Sequence, residues 1–253
     1  MKKLKTGFPA KLTVLIVIAL AGIILVRIFF LALRSSDYFK IRDVIVSATN
    51  PTDVSYLLGR NIFSVDLYKE ASSIASRAPS YKRICLIRIL PDRLFIDFIK
   101  RKPEALVKLY RSFLVDNDGV LFEIPKQEPT LDLPVIIGLD TKIFGVKTGI
   151  KYNINELNLA LNIIRGIKRN RAFRDYRIKK IDVSSSVNTA FFIKDHIDQQ
   201  GFEVKIGQGD IEDKVTILSS LLTQMNKDRF NIKYIDLRFK EPVIKLINSD
   251  KRS

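Results

Sequence analysis

His196 and Cys85 are the only histidine and the only cysteine among the 253 residues. A Ser-His-Asp or Cys-His nucleophile would have to pass through that one imidazole. Its surroundings, Lys194-Asp195-His196-Ile197-Asp198-Gln199-Gln200-Gly201, are a polar turn between apolar runs, where a solvated histidine is expected. One His and one Cys do not make a zinc site of ordinary composition, and a single Cys forms no intrachain disulfide. Cys85 reads as a small buried residue in a strand. Asp116-Asn117-Asp118-Gly119 opens like a calcium loop, but the third acid and the glutamate at the twelfth position are absent. Two acids in one turn do not frame a sugar cleft, and Asn117 and Gly119 suit the positive φ of a hairpin turn. Gly207-Gln208-Gly209 precedes a helix, where a phosphate could sit. There is no third glycine and no Gly-Lys-Ser/Thr, so a tight strand-to-helix turn is expected. No catalytic residue, metal or cofactor follows from these groups.

The densest charge lies between 165 and 180. Arg165, Lys168, Arg169, Arg171, Arg174, Arg177, Lys179 and Lys180 face a single acid, Asp175, with Phe173 and Tyr176 interleaved. Such a run could hold phosphates, or it is the solvated end of a helix. Arg165, Lys168, Arg169, Arg171 and Arg174 are the candidate contacts to an anionic lipid or polymer surface.

The elements that carry these groups follow from periodicity. In FKIRDVIVSA, residues 39–48, Ile41, Val44 and Val46 alternate imperfectly with polar neighbours, a strand pattern. Asn50-Pro51-Thr52-Asp53 is a turn that can start a short helix. A second helix at 67–77 puts Leu67, Ala71, Ile74 and Ala75 on one face and stops at Pro79. Arg83–Leu90 and Arg93–Arg101 read as a hairpin across Pro91-Asp92, with Leu94, Ile96 and Phe98 on one side and Phe95, Asp97 and Ile99 on the other. Strands are then expected at 106–110, 112–115, 120–122 and 133–138, a helix at 154–169, and strands at 178–183, 189–195 and 201–206. Ile211, Val215, Leu218, Leu222 and Met225 step by 4, 3, 4, 3, the apolar side of a helix started by Asp210. Tyr234–Phe239 and Val243–Ile247 close the fold around Lys240-Glu241-Pro242.

The net charge is +16, and six of the basic residues (Lys2, Lys3, Lys5, Lys11, Arg27, Arg34) precede the first acid. The remaining surplus favours anionic neighbours. Within that N-terminal segment, Leu12–Val26 is unbroken apolar sequence, and it resumes after Arg27 as IFFLAL. Read through Arg27, which can extend toward the headgroups, the segment is long enough to cross a bilayer. Ala19-Leu20-Ala21 matches a signal cleavage pattern, but cutting there would leave the greasy stretch Gly22–Leu33 on the product. An uncleaved anchor is expected, with the lysine-rich N-terminus on the cytoplasmic side.

Several stretches together resemble the FtsQ/DivIB family of bacterial division proteins. Phe39-x-Ile41-Arg42-x-Val44-x-Val46 resembles the opening strand of its POTRA domain, and Gly59-Arg60-Asn61-Ile62-Phe63-Ser64-Val65-Asp66 its G-x-N-I/L-F-x-V/L-D element. Arg88-x-Leu90-Pro91-Asp92-x-Leu94-x-Ile96 is similar to its R-x-x-P hairpin, and Arg101-x-Pro103-x-Ala105 to the stretch after it. Leu114-Val115-Asp116-x-x-Gly119-Val120-Leu121-Phe122, Leu133-Pro134-x-Ile136-x-Gly138 and Tyr234-Ile235-Asp236-Leu237-Arg238-Phe239 resemble its β-domain. Lys100 stands where the family often has Glu, and Glu104 where it often has Val.

The resemblance implies an α+β protein: a cytoplasmic tail at 1–11, a transmembrane helix at 12–33, a POTRA domain (β-α-α-β-β) at 37–103, a β-domain with two helices at 104–247 and a polar tail at 248–253. It implies a single-pass protein of the bacterial inner membrane, at the division septum, with its bulk outside the cytoplasm. The implied role is a divisome scaffold without catalysis or cofactor. Its partners would be FtsB/DivIC-like and FtsL-like bitopic proteins and, through them, the septal wall synthase; nucleic acid is not an expected partner. Carried over, the partner-binding β-edge falls on Tyr234, Asp236, Arg238, Phe239, Val243 and Lys245. The alternative is a POTRA-containing export or envelope-assembly component, which would require a barrel or channel that no strand array left in the sequence supplies.

Overall fold

The computed structural model describes residues 10–47, 52–125, 132–195, 201–225 and 232–247. The chain divides into two compact units, the break falling between Lys100 and Arg101. The expected turns around Asn50-Pro51 and His196 and the two terminal tails, save Ala10 and Lys11, lie outside the described residues.

The first unit opens with α1 (Ala10–Ser35). Its segment Thr13–Ser35 is the one stretch among the described residues long and apolar enough to cross a membrane, and none of it is buried against the protein. That fits a single-pass membrane protein. Then come β1 (Asp43–Val46), α2 (Leu67–Arg77), β2 (Tyr81–Ile89) and β3 (Arg93–Lys100). The sheet order is β1-β3-β2, with β1 parallel and β2 antiparallel to β3. The predicted alternation holds: Leu94, Ile96 and Phe98 are buried, and Ile74 of α2 is buried with them.

The first expected helix of this unit is only a single 3-10 turn, Ser55–Leu57. The physical reason is length. Asp53 accepts from the Ser55 N–H at 2.8 Å, and Gly59 at φ +77° already turns the chain away, handing its N–H to Ile41 O at 2.8 Å. Too few residues remain for an α-helical ladder. The two signature stretches of this unit bind each other: Arg88 donates from Nε to Ile62 O and from Nη2 to Val65 O, both at 2.8 Å.

The second unit contains β4 (Ala105–Lys108), β5 (Ser112–Val115), β6 (Leu121–Phe122), β7 (Val135–Ile137), α3 (Asn155–Arg169), β8 (Tyr176–Asp182), β9 (Ala190–Asp195), β10 (Gly201–Lys205), α4 (Ile211–Gln224), β11 (Ile232–Asp236) and β12 (Val243–Leu246). The strands form one sheet in the order β12-β11-β10-β9-β8-β7-β4-β5-β6. α3 contributes Leu157, Leu161 and Ile164 to its core and α4 contributes Ile211, Val215, Leu218 and Leu222 from its predicted stripe, joined by Phe113, Ile136, Ile181, Phe191, Val204 and Ile235 from the strands. Asp210 caps α4, its Oδ1 accepting from the N–H groups of Glu212 and Asp213.

Candidate functional site

The two ends of the long sheet differ. Beyond β6 the chain returns alongside: Gly149 N–H donates to Leu121 O at 2.8 Å and Tyr152 N–H to Gly119 O at 2.9 Å, with an antiparallel bridge between Val120 and Lys151. That edge is covered. At the other end β12 is the outermost of the described strands, antiparallel to β11. Of the expected edge residues, Val243 and Lys245 are on β12, while β11 is flanked by β12 on one side and β10 on the other, so Tyr234 and Asp236 are inside the sheet. Their main chain is committed, because a strand with neighbours on both flanks has no row of groups left to accept another. Phe239 lies past the end of β11 and is exposed.

Asp236 and Arg238 hold this corner together, Asp236 buried and Arg238 exposed beside it. The Asp236 carboxylate is buried and accepts from Arg238 Nε at 2.9 Å, Nη2 at 2.7 Å and the Arg238 N–H at 3.1 Å. Arg238 Nη1 reaches Asn188 Oδ1 at 2.6 Å. The Arg238 guanidinium holds the Asp236 carboxyl below its ordinary value, against the opposing effect of burial. Their stack packs on Gly207, at φ +59°, where a Cβ would stand 3.0 Å from Arg238 Cγ. So the Gly207-Gln208-Gly209 turn is a packing device. Lys214 from α4 donates to the Ile206 and Gln208 carbonyls behind it, and burial lowers its ammonium pKa.

The surface beside β12 is a cross-strand row that the sheet assembles from five strands: Lys180, Phe192, Glu203, Tyr234 and Lys245 are registered in line. Phe192 is 39% exposed, Tyr234 is half-buried, and Lys205 Nζ stands 4.6 Å from the Tyr234 ring centre. Val243 and Leu246 of β12 are exposed hydrophobics. The sequence reading missed Phe192, although its alternation with the buried Phe191 and Ile193 was there to be read.

Several members of the basic cluster have partners of their own, and Arg165, Lys168 and Arg169 line one shared hollow with Glu104. Arg165 donates to Asn162 Oδ1 and Asn117 O, Lys168 pairs with Glu104, Lys179 with Asp132, and Arg177 donates to the carbonyls of Arg174 and Tyr176. Arg169, Arg171 and Arg174 are exposed. Phe173 and Tyr176 are core residues, so no aromatic platform for stacked bases is presented. Asp116, in the expected hairpin turn, is 1% exposed. It pairs with Arg101 Nη1 at 2.6 Å and accepts from the N–H groups of Asp118 and Val120; Gly119 sits at φ +82° in the turn it pins. Among the described residues no group of three His, Cys, Asp or Glu side chains could hold a metal.

The family model described as "Cell division protein FtsQ/DivIB, C-terminal" matches residues 105–238, most of the second unit. The cell division protein FtsQ of Syntrophotalea carbinolica is 24% identical over 219 residues, covering 84% of this chain and 75% of that protein. Those of a Geobacter species and an Anaeromyxobacter species are each 26% identical, covering 74% and 80% of this chain and 65% and 69% of their own lengths.

Proposed function

The chain belongs to the FtsQ/DivIB family of cell division proteins, and from that premise we propose that it is a non-enzymatic scaffold of the divisome. It links early and late division proteins and helps control septal peptidoglycan synthesis. Its N-terminus lies in the cytoplasm and both folded units lie outside, at the septum. The partners are FtsB/DivIC-like and FtsL-like bitopic proteins and, indirectly, the septal wall synthase.

One observation carries the reading: of the two ends of the long sheet, β6 is covered by the 149–152 segment while β12 is the outermost of the described strands. A partner strand added beside β12 would gain main-chain hydrogen bonds, and alternate side chains would set its specificity. Val243 and Lys245 then contact the partner directly, and Phe239, Tyr234 and Phe192 flank them. Asp236 and Arg238 act one layer back, by fixing the corner from which β12 departs. Exposed Arg169, Arg171 and Arg174 offer a separate contact to an anionic surface.

The test is photocrosslinking in growing cells from Val243, Lys245 and, as a control at the covered edge, Ile150. Adducts with small bitopic proteins from the first two positions alone support the reading. Equal capture from Ile150, or normal septa in cells depleted of the protein, overturns it.

A further inference from the structure

The end of the membrane helix is tied to the globular part of its unit by a side chain distant in sequence. Asn61 Nδ2 donates to Leu33 O at 2.9 Å and to Ser36 O at 3.1 Å, while its Oδ1 accepts from the Phe63 N–H at 2.9 Å. These are carbonyls at a helix C-terminus, where intrahelical donors run out. The segment after the helix is no loose tether. Ile41 N–H donates to Arg60 O at 2.9 Å, Gly59 N–H to Ile41 O at 2.8 Å and Ile62 N–H to Phe39 O at 2.8 Å. Phe39 packs edge-on against Phe63 with ring centres 5.0 Å apart, and Tyr38 against Phe39 at 5.1 Å.

The apolar stretch Thr13–Ser35 holds 23 residues, roughly 34 Å of helix and enough to cover the hydrocarbon core. Side chains within a few positions of Ser35 therefore stand at headgroup depth. Those present are Arg34, exposed; Tyr38, 64% exposed; Lys40, whose ammonium pairs with Asp37 at 2.8 Å; and Arg42, largely exposed. Asp37 is the only acid between 34 and 42. Tyrosine and basic residues are the types that settle in the interfacial layer.

We propose that this rim, Arg34, Tyr38, Lys40 and Arg42, is seated in the lipid headgroups at the C-terminal end of α1, and that Asn61 locks it there. The first unit then rides the membrane at a fixed angle instead of swinging on a linker. Lipid is the occupant because the rim is continuous with the membrane segment itself and carries the tyrosine and basic side chains that settle in the interfacial layer. The inference rests on α1 spanning the bilayer but not on the β12 reading, whose crosslinks could fail while this lock stands.

The full chain, in a Cys85→Ser background, is placed in phosphatidylcholine–phosphatidylglycerol vesicles. A fluorophore on Tyr38→Cys is challenged with headgroup-spin-labelled lipid. In a second sample, spin labels on Leu31→Cys and Tyr68→Cys report the distance between helix end and α2. Strong quenching and one narrow distance are expected. Asn61→Asp keeps the acceptor for Phe63 but loses both donated bonds, so the released population rises roughly twenty-five-fold, at about a factor of five per hydrogen bond, and the distances broaden. Asn61→Ser, uncharged and too short to reach both carbonyls, gives the same broadening if the Asp variant fails to fold. An unquenched Tyr38 label overturns the seating. A distance distribution already broad in the unsubstituted protein, or unchanged in a folded Asn61 variant, overturns the lock.

Discussion

Replacing Asp116 with alanine should cripple the second unit without touching any chemistry. The side chain is 1% exposed and lies 2.6 Å from Arg101, itself only 12% exposed. Removing one partner of a buried ion pair costs about 3–5 kcal/mol, because the other charge keeps its desolvation cost and loses its compensation. Two backbone donors, Asp118 N–H and Val120 N–H, also lose their acceptor. The Asp118 side of the turn is exposed and rehydrates, but Val120 is buried, which adds about 1 kcal/mol. A total near 5 kcal/mol is expected, and at about 2–4 °C per kcal/mol the melting temperature falls by roughly 10–20 °C. Calorimetry of the detergent-solubilised full chain, with limited proteolysis to identify the unit that opens, measures it. Asp118→Ala, exposed in the same turn, should cost less than about 1 kcal/mol. Equal small shifts for the two variants would refute the structural assignment. Loss of division with stability intact would instead give Asp116 a chemical role.

Gly138, at φ +89°, sits where a Cβ would stand 2.3 Å from Ser184 N; Gly138→Ala should lose about 3 kcal/mol or more, seen as a lower urea midpoint. Arg88→Ala removes the two bonds to Ile62 O and Val65 O and should cost the first unit about 2 kcal/mol, and Arg88→Lys should rescue only part of it, since one ammonium lacks the guanidinium fork. Arg238 holds the folded-state pKa of Asp236 below the ordinary 3.8. The stability it contributes is therefore complete above that value, declines as the pH falls past it, and is gone below the lower folded-state pKa. Urea unfolding at pH 7 and pH 3 should show a smaller acid loss for Asp236→Asn than for the unsubstituted chain, and an equal loss would contradict the pairing.

Much of the architecture was legible because it is written in local periodicity. The alternation of Leu94, Ile96 and Phe98 with Phe95, Asp97 and Ile99 gave β3 its faces, and the 4-3-4-3 stepping from Ile211 to Met225 gave α4. The short 52–58 stretch was harder, since a few residues before a glycine satisfy either a helical start or a single turn. Phe173 and Tyr176 looked like partners of the arginines around them and are core residues. Composition cannot say which way a side chain in an irregular segment turns.

By itself the sequence determined the apolar span of α1, the paired faces of strands and helices, and a count of one His and one Cys, too few for a zinc site of ordinary composition. These depend on spacing within one segment, where backbone geometry fixes which side chains share a side. Only the tertiary structure decided that Val243–Leu246 and not Tyr234–Asp236 is outermost, that Asp116 meets Arg101, and that Asn61 reaches the end of the membrane helix. Strand order and such long-range bonds are set by how distant segments close on one another. A one-dimensional pattern does not encode that closure, because the same alternation serves an interior strand and an edge strand equally well.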